Sequence, residues 1–339
     1  MFKSERNPMF RSAFGEAIFN QKYAHEGCET WEALSRTLVE DVCGSLLPKS
    51  TRDYLFEIIR DMKFIPGGRY LAYAGRPNKY FNNCYLLRAE EDTREDWAAL
   101  SWRSESCLMT GGGIGVDYSI YRERGRRLSR TGGESSGPLP KMQMINEIGR
   151  HVMQGGSRRS AIYASLNWRH TDIPEFLRIK NWDSPIGSTG KTVSDVKRED
   201  FNFPAPLDMT NISVNYDTAW LEGDRLNPVF LENVRQALRT AEPGFSFNFY
   251  SKERETLRNA CTEVTSEDDS DVCNLGSVNM SRIGSLNEFS DIVDAATQFL
   301  MCGTMKAHLP YDKIAEVRKK NRRLGLGLMG IHEWLLAGN

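Results

Sequence analysis

Apolar residues recur at helical spacing through residues 30–63, where Trp31, Leu34, Leu38 and Val42, and then Leu55, Ile58 and Ile59, fall mostly three or four positions apart. This pattern predicts a helical N-terminal subdomain, placed at residues 1–75. Beyond residue 80 the period changes. Short apolar runs at residues 83–87, 114–119, 161–166, 211–216 and 245–250 read as strands, and periodic segments at 93–109, 140–153, 172–180 and 228–239 read as helices between them. Every crossover exceeds the roughly 10–12 residues that a parallel connection needs. Five strands alternating with helices predict an α/β fold, as a parallel sheet or half of a barrel, within a second domain at residues 76–339. After the fifth strand the alternation breaks. A polar, acidic stretch at 258–271 precedes a sixth strand at 273–280, a long helix at 292–306 and the glycine-rich run Leu324-Gly325-Leu326-Gly327-Leu328-Met329-Gly330. The last residues read as a helix just starting, so the C-terminus is expected to be incomplete.

Charge adds exclusions. Among 339 residues, 44 Lys and Arg nearly balance 45 Asp and Glu, which argues against direct nucleic-acid binding through a broad basic surface. No apolar run approaches the roughly 20 residues of a membrane span, and the N-terminal ten residues lack the apolar core of a signal peptide. A cytoplasmic location is the expectation. The seven cysteines, an odd number without any Cys-x-x-Cys, predict neither a disulfide framework nor a zinc ribbon or thioredoxin motif. The histidines, His25, His151, His170, His308 and His332, do not sit at metal-ligand spacing, and no metal site is predicted.

Two glycine motifs fail on context. Gly111-Gly112-Gly113-Ile114-Gly115 follows a helix and opens a strand, the reverse of a dinucleotide fingerprint. Glycine there still permits close backbone approach. Gly190-Lys191-Thr192 has Pro185 where a phosphate loop needs its first glycine, and reads as part of a solvated insertion.

The segment Asn259-Ala260-Cys261-Thr262-Glu263 places an amide, a thiol and a carboxylate at alternate positions. In an extended loop all three would point to one side and address one small substrate. The thiol could act as a one-electron or nucleophilic centre, the carboxylate could take a proton, and the amide could orient a hydroxyl. Cys28, Cys43, Cys107 and Cys302 read as packing residues.

In this context the sequence resembles the ribonucleotide reductase large-chain family from about residue 64 to 330. Asn259-Ala260-Cys261-Thr262-Glu263 is similar to the family's finger loop, Phe81-Asn82-Asn83-Cys84-Tyr85-Leu86-Leu87 to its first barrel strand, and Cys273-Asn274-Leu275-Gly276-Ser277-Val278-Asn279-Met280 to the strand with its second redox cysteine. Thr110-Gly111-Gly112-Gly113-Ile114-Gly115 resembles the glycine strand beside the substrate, while residues 154–161 and 209–214 resemble segments around the effector-sensing loops. The resemblance implies a ten-stranded α/β barrel, here its first five-stranded half, the finger loop and the start of the second half.

It also implies the chemistry. Cys261 would carry a thiyl radical and take the 3′ hydrogen of a ribonucleotide; Glu263 would accept the 3′-hydroxyl proton; Asn259 would hydrogen-bond the sugar. Cys84 and Cys273 would reduce the substrate and end as a disulfide, restored by thioredoxin or glutaredoxin through thiolate exchange. Asn83 and Gly113 would contact the substrate. A deoxynucleotide effector and a C-terminal continuation or second fragment completing the barrel are implied partners. The 12-residue separation of Cys261 and Cys273 and the segments at 66–87 and 154–168 resemble the adenosylcobalamin-dependent (class II) enzymes of cyanobacteria and their phages, the latter acting in the host cytoplasm. The insertion at 182–208 resembles that group too. The alternatives are a large subunit that relies on a metal-radical partner subunit, a catalytically incomplete nucleotide-binding fragment, and a thiol metal site at Cys261 and Cys273.

Overall fold

In the computed structural model of the chain, residues 10, 12–129, 131–152, 160–183 and 185–338 are described. Of the effector-loop segment read at 154–161, only Ser160 and Ala161 fall within them. The elements run α1 (Ala13–Lys22), α2 (Trp31–Cys43), α3 (Lys49–Arg60), β1 (Phe64–Pro66), α4 (Gly68–Tyr73), β2 (Cys84–Arg88), α5 (Arg94–Met109), β3 (Gly113–Asp117), α6 (Pro138–His151), β4 (Ile162–Asn167), α7 (Ile173–Arg178) and α8 (Val193–Glu199). They continue with β5 (Thr210–Tyr216), α9 (Thr218–Glu222), α10 (Pro228–Thr240), β6 (Gly244–Phe247), β7 (Leu257–Arg258), β8 (Thr265–Ser266), β9 (Asp271–Cys273), β10 (Leu275–Asn279), α11 (Leu286–Lys306), α12 (Asp312–Asn321), β11 (Gly325–Met329) and α13 (Ile331–Leu336). The chain divides into two compact units, one of Met1–Asn83 with Val272–Asn339 and one of Cys84–Asp271.

In the first unit the predicted N-terminal helices form because their apolar stripes have a partner. Thr30 caps α2 by accepting the Ala33 N–H at 3.1 Å. Trp31, Leu34, Leu38 and Val42 of α2 and Leu55, Ile58 and Ile59 of α3 are buried in one core with Ile292, Ala296, Phe299 and Leu300 of α11. The early helices thus share their core with a late one. The Trp31 indole N–H lies within hydrogen-bond distance of the Ile59 and Arg60 carbonyls, at 3.1 and 3.0 Å, and ties α2 to the end of α3. A three-stranded sheet, β1-β10-β11, borders this core, with β1 antiparallel and β11 parallel to β10. Cys28, Cys43 and Cys302 are buried here, as their packing role requires. Burial and the neighbouring Cys302 thiol push the Cys43 thiol far above its ordinary range.

The second unit holds the strands read from sequence. β2 to β6 are parallel, within a six-stranded sheet of order β6-β5-β4-β3-β2-β9. β9 starts at Asp271, where the chain leaves this unit. The register separates two faces. Tyr85 and Leu87, Ile114 and Val116, Ile162, Ala164 and Leu166, and Ile212 and Val214 share one face and are buried. Asp117, Ser165, Asn167, Ser213, Asn215 and Ser246 share the other. Parallel strands covered on both sides are usually apolar throughout. A polar face that is nevertheless buried at Asp117, Ser165, Asn215 and Ser246 must find its hydrogen bonds inside the protein, and is the candidate side for a site.

On the helical side, Lys141 of α6 is fully buried. Its ammonium donates to the Trp97 carbonyl at 2.5 Å and to the Ser101 hydroxyl, and lies 5.1 Å from the Trp97 ring centre. Burial pushes it down to about 8. In the unfolded chain it titrates near 10.4. Between those values the unfolded state binds a proton that the folded state has lost, so Lys141 makes stability rise with pH across that window. Lys141→Met is expected to remove this rise; urea melts of both proteins at pH 8 and 10 check it, and equal slopes refute it.

The insertion at 182–208 is anchored rather than loose. Lys197 donates to the Asp208 carboxylate at 2.7 Å and to the Phe203 carbonyl at 2.8 Å, and Arg150 and Asn146 of α6 reach the same carboxylate. Burial alone would raise the Asp208 carboxyl, but these donors outweigh it and bring it down to about 2. Its stabilising contribution is complete above the ordinary carboxylate range and is lost as pH falls toward 2. Thr192, the last residue of the rejected phosphate-loop triplet, is the N-cap of α8 in a reciprocal capping box with Asp195.

Candidate catalytic loop

The loop rises from a two-residue antiparallel stem in which Leu257 of β7 pairs with Ser266 of β8 and Arg258 with Thr265. Six residues form the tip. The stem lies on the polar face because two glycines leave room for it. A Cβ on Gly115 would stand 1.8 Å from the Arg258 carbonyl oxygen, and one on Gly113 2.9 Å from the Ala260 Cβ. Gly115→Ala is therefore expected to force the stem off the sheet at a cost of about 1–3 kcal/mol, as overpacking does. A denaturant midpoint unchanged from wild type contradicts this.

The tip is a turn, not the extended segment expected from alternate spacing. The Thr262 N–H donates to the Asn259 carbonyl at 3.0 Å, and Thr262 has φ +71°. The Asn259 side chain bends back to accept the Val264 N–H at 3.0 Å. This leaves Asn259 fully buried while Cys261 and Glu263 are exposed at the tip. The turn breaks the period of two. The amide props the loop from beneath while thiol and carboxylate are presented at the end. The Asn259 Nδ2 group is buried and has no hydrogen-bond partner among the described residues. An unmet buried donor costs about 1–3 kcal/mol. Such a group calls for a ligand or water.

Cys84 opens β2 and is buried; in the register it lies beside Gly113, so both face the side of the sheet on which the loop lies. In the other unit, Cys273 closes β9 and is buried, and its carbonyl accepts the Asn83 N–H at 3.0 Å. The Asn83 side-chain oxygen is a further buried polar atom without a partner among the described residues. Cys84 belongs to one unit and Cys273 to the other. Among the described residues, no three His, Cys, Asp or Glu side chains gather as a metal-ligand group.

The polar face brings in residues that sequence reasoning passed over. The Arg258 Nε donates to the Ser246 hydroxyl at 2.7 Å and its Nη2 to the Asn248 side-chain oxygen at 3.1 Å. Thr256 donates to the Asp117 carboxylate at 2.5 Å, and Thr265 to the Glu255 carboxylate at 2.7 Å. The signal was present in Asn211-Ile212-Ser213-Val214-Asn215-Tyr216 and Phe245-Ser246-Phe247-Asn248-Phe249, where polar and apolar residues alternate strictly.

Known proteins bear on this arrangement. The family model described as ribonucleotide reductase, barrel domain, matches residues 82–192 and 235–339. The chain is similar to a vitamin B12-dependent ribonucleoside-diphosphate reductase of Mycobacterium tuberculosis (strain CDC 1551 / Oshkosh), 26% identical over 302 residues, covering 83% of this chain and 42% of that protein. It is 25% identical over 301 residues to a protein of the same description from Thermoplasma acidophilum, covering 83% of this chain and 38% of that one. It is 23% identical over 376 residues to a ribonucleoside-diphosphate reductase subunit alpha of Chlamydia muridarum (strain MoPn / Nigg), covering 94% of this chain and 35% of that protein. The chain spans about two-fifths of the length of these curated relatives. With its α/β sheet, one polar face of that sheet and a cysteine loop seated on a glycine-bearing strand, the chain belongs to the ribonucleotide reductase family through its barrel domain.

Proposed function

We propose that this chain carries the radical-cysteine loop of a ribonucleotide reductase, and that it reduces ribonucleotides to 2′-deoxyribonucleotides for DNA synthesis. The observation that carries the reading is the tip itself: an exposed Cys261 thiol and Glu263 carboxylate above a buried Asn259 whose Nδ2 awaits an acceptor. In this reading Cys261, as a thiyl radical, takes the hydrogen from the 3′ carbon of the ribose and returns it at the end. Glu263 holds the proton of the 3′ hydroxyl, and the Asn259 Nδ2 donates to a sugar oxygen. The 2′ hydroxyl leaves as water. Cys84 and Cys273 supply two protons and two electrons and end as a disulfide, so that carbon–oxygen is exchanged for carbon–hydrogen at C2′. A thioredoxin-like protein then reduces that disulfide by thiolate exchange. Asn83 and Gly113 line the substrate's position, and a deoxynucleotide effector acts through the segment at 154–161.

Adenosylcobalamin supplies the initiating radical when bound. Cys261, exposed at the loop tip, would be the group that receives that radical. The vitamin B12-dependent relatives support the same choice.

The test is ribonucleotide reduction by this chain together with the C-terminal continuation that completes the barrel, with a dithiol reductant, with and without adenosylcobalamin. Deoxynucleotide formed only with the cofactor is the expected result. Formation that requires a metal-bearing partner protein instead overturns the cofactor assignment, and none under either condition overturns the function. After a single turnover without reductant, alkylation and peptide mapping should find Cys84 joined to Cys273; both thiols alkylated would refute that pairing.

A further inference from the structure

Arg258 stands three residues before Cys261, and its bonds are unusual for a guanidinium. It is half-buried, and its hydrogen-bond partners among the described residues are all uncharged: the Ser246 hydroxyl, the Asn248 side-chain oxygen and the Phe247 carbonyl at 3.3 Å. Ser246 and Asn248 are themselves buried, and the Asn248 N–H donates to the Tyr216 carbonyl at 2.9 Å, which fixes the acceptors to the sheet. The two acceptors lie two positions apart, on one side of an extended segment. A planar guanidinium fork spans such a pair; an ammonium engages one point.

The other tether of the stem is on the opposite side. Thr256 bonds Asp117, which Ser119 also holds, at the end of β3. The stem therefore lies over β3 and β2, and only the Arg258 side chain crosses the polar face to β6. Gly115 brings the Arg258 backbone into contact with β3, while the Arg258 side chain reaches β6. Rotation of the stem about its own axis is what these two attachments remove, and that rotation would swing the exposed tip most.

We propose that Arg258 is a positioning residue for Cys261: its guanidinium pins the loop stem to the Ser246–Asn248 edge and so fixes where the thiol is presented. Its catalytic consequence rests on the radical-cysteine reading above; the pinning itself does not. Misplacement of a reacting group by about 1 Å costs on the order of 100-fold in rate.

The experiment compares wild type, R258K, R258A and S246A as full chains. The first readout is the rate of Cys261 alkylation by iodoacetamide, mapped by peptide mass spectrometry with buried Cys28 as the internal reference. Expected for R258A is a change of roughly 3- to 10-fold, of the size that freeing a local segment produces. Added methylguanidinium should return the rate toward wild type, R258K should fall between, and S246A should shift it less in the same direction. The second readout is reduction, where kcat of R258A should fall about 10- to 100-fold with KM little changed. Should R258A not fold, R258K and S246A carry both comparisons. Folded R258A whose Cys261 reacts like wild type, or whose altered rate ignores methylguanidinium, overturns the proposal. A wild-type chain that shows no reductase activity even with the C-terminal continuation added overturns the functional reading instead, and the alkylation rates still decide the role of Arg258.

Discussion

Cys261→Ser is expected to abolish ribonucleotide reduction while leaving the fold intact. The side chain is exposed at the tip of a turn held by backbone and Asn259 bonds, so its replacement creates no cavity. Exposed changes of this kind usually stay within about 0.5 kcal/mol. The chemistry has no such tolerance. A hydroxyl bond to hydrogen is far stronger than a thiol's, so serine cannot exchange a hydrogen atom with a sugar carbon. Deoxynucleotide quantified by chromatography should fall below roughly a thousandth of wild type, the scale on which loss of an essential group is read. Thermal unfolding should be superimposable. Substantial residual turnover would remove Cys261 from the centre of the mechanism.

Asp269→Ala is expected to unfold the second unit at much lower denaturant. Its carboxylate accepts the Arg88 N–H at 2.8 Å, the Arg103 Nη1 at 2.9 Å and the Ser270 hydroxyl at 3.0 Å. Its side chain is 1% exposed and that of Arg103 is 9% exposed, so removal leaves a buried guanidinium with Asp96 as its one remaining carboxylate among the described residues. Breaking a buried pair from one side costs about 3–5 kcal/mol. The site is affected too. Asp269 and Ser270, whose N–H donates to the Leu86 carbonyl at 2.8 Å, tie the chain returning from the cysteine loop to β2. Urea denaturation measures the loss; Asp269→Asn, which keeps one acceptor, should lose less. A loss under about 1 kcal/mol for Asp269→Ala would mean the pair contributes little beyond its own desolvation.

How much of this was legible in sequence depends on the range of the force involved. α2, α3 and α10 are written in their own apolar spacing, and Thr30 marks its cap locally. β2 to β6 are legible as runs because each is built from contiguous residues. The small sheet was not legible as such: Phe64 pairs with Val278 and Leu275 with Gly325, contacts that no local pattern encodes. α1 was missed because it buries only Phe19 and shows no clear apolar stripe. At the site, residue types were legible and geometry was not. Asn259, Cys261 and Glu263 stand out by chemistry, but the positive φ at Thr262 makes their segment a turn rather than the extended run that their spacing suggests. Arg258 escaped notice because its partners lie on another strand.

The core shared by α2, α3 and α11 has a consequence for the order of events during synthesis. Ile59 leaves the ribosome roughly 230 residues ahead of Ile292, its neighbour in the same core. At about 5–20 residues per second, the early helices wait roughly 10–50 s with their apolar stripes uncovered. The unit of Cys84–Asp271, contiguous in the chain, closes within that interval. The nascent protein is thus most exposed to chaperones and proteases at its N-terminal helices, and α11, made long after them, is the helix that ends that exposure.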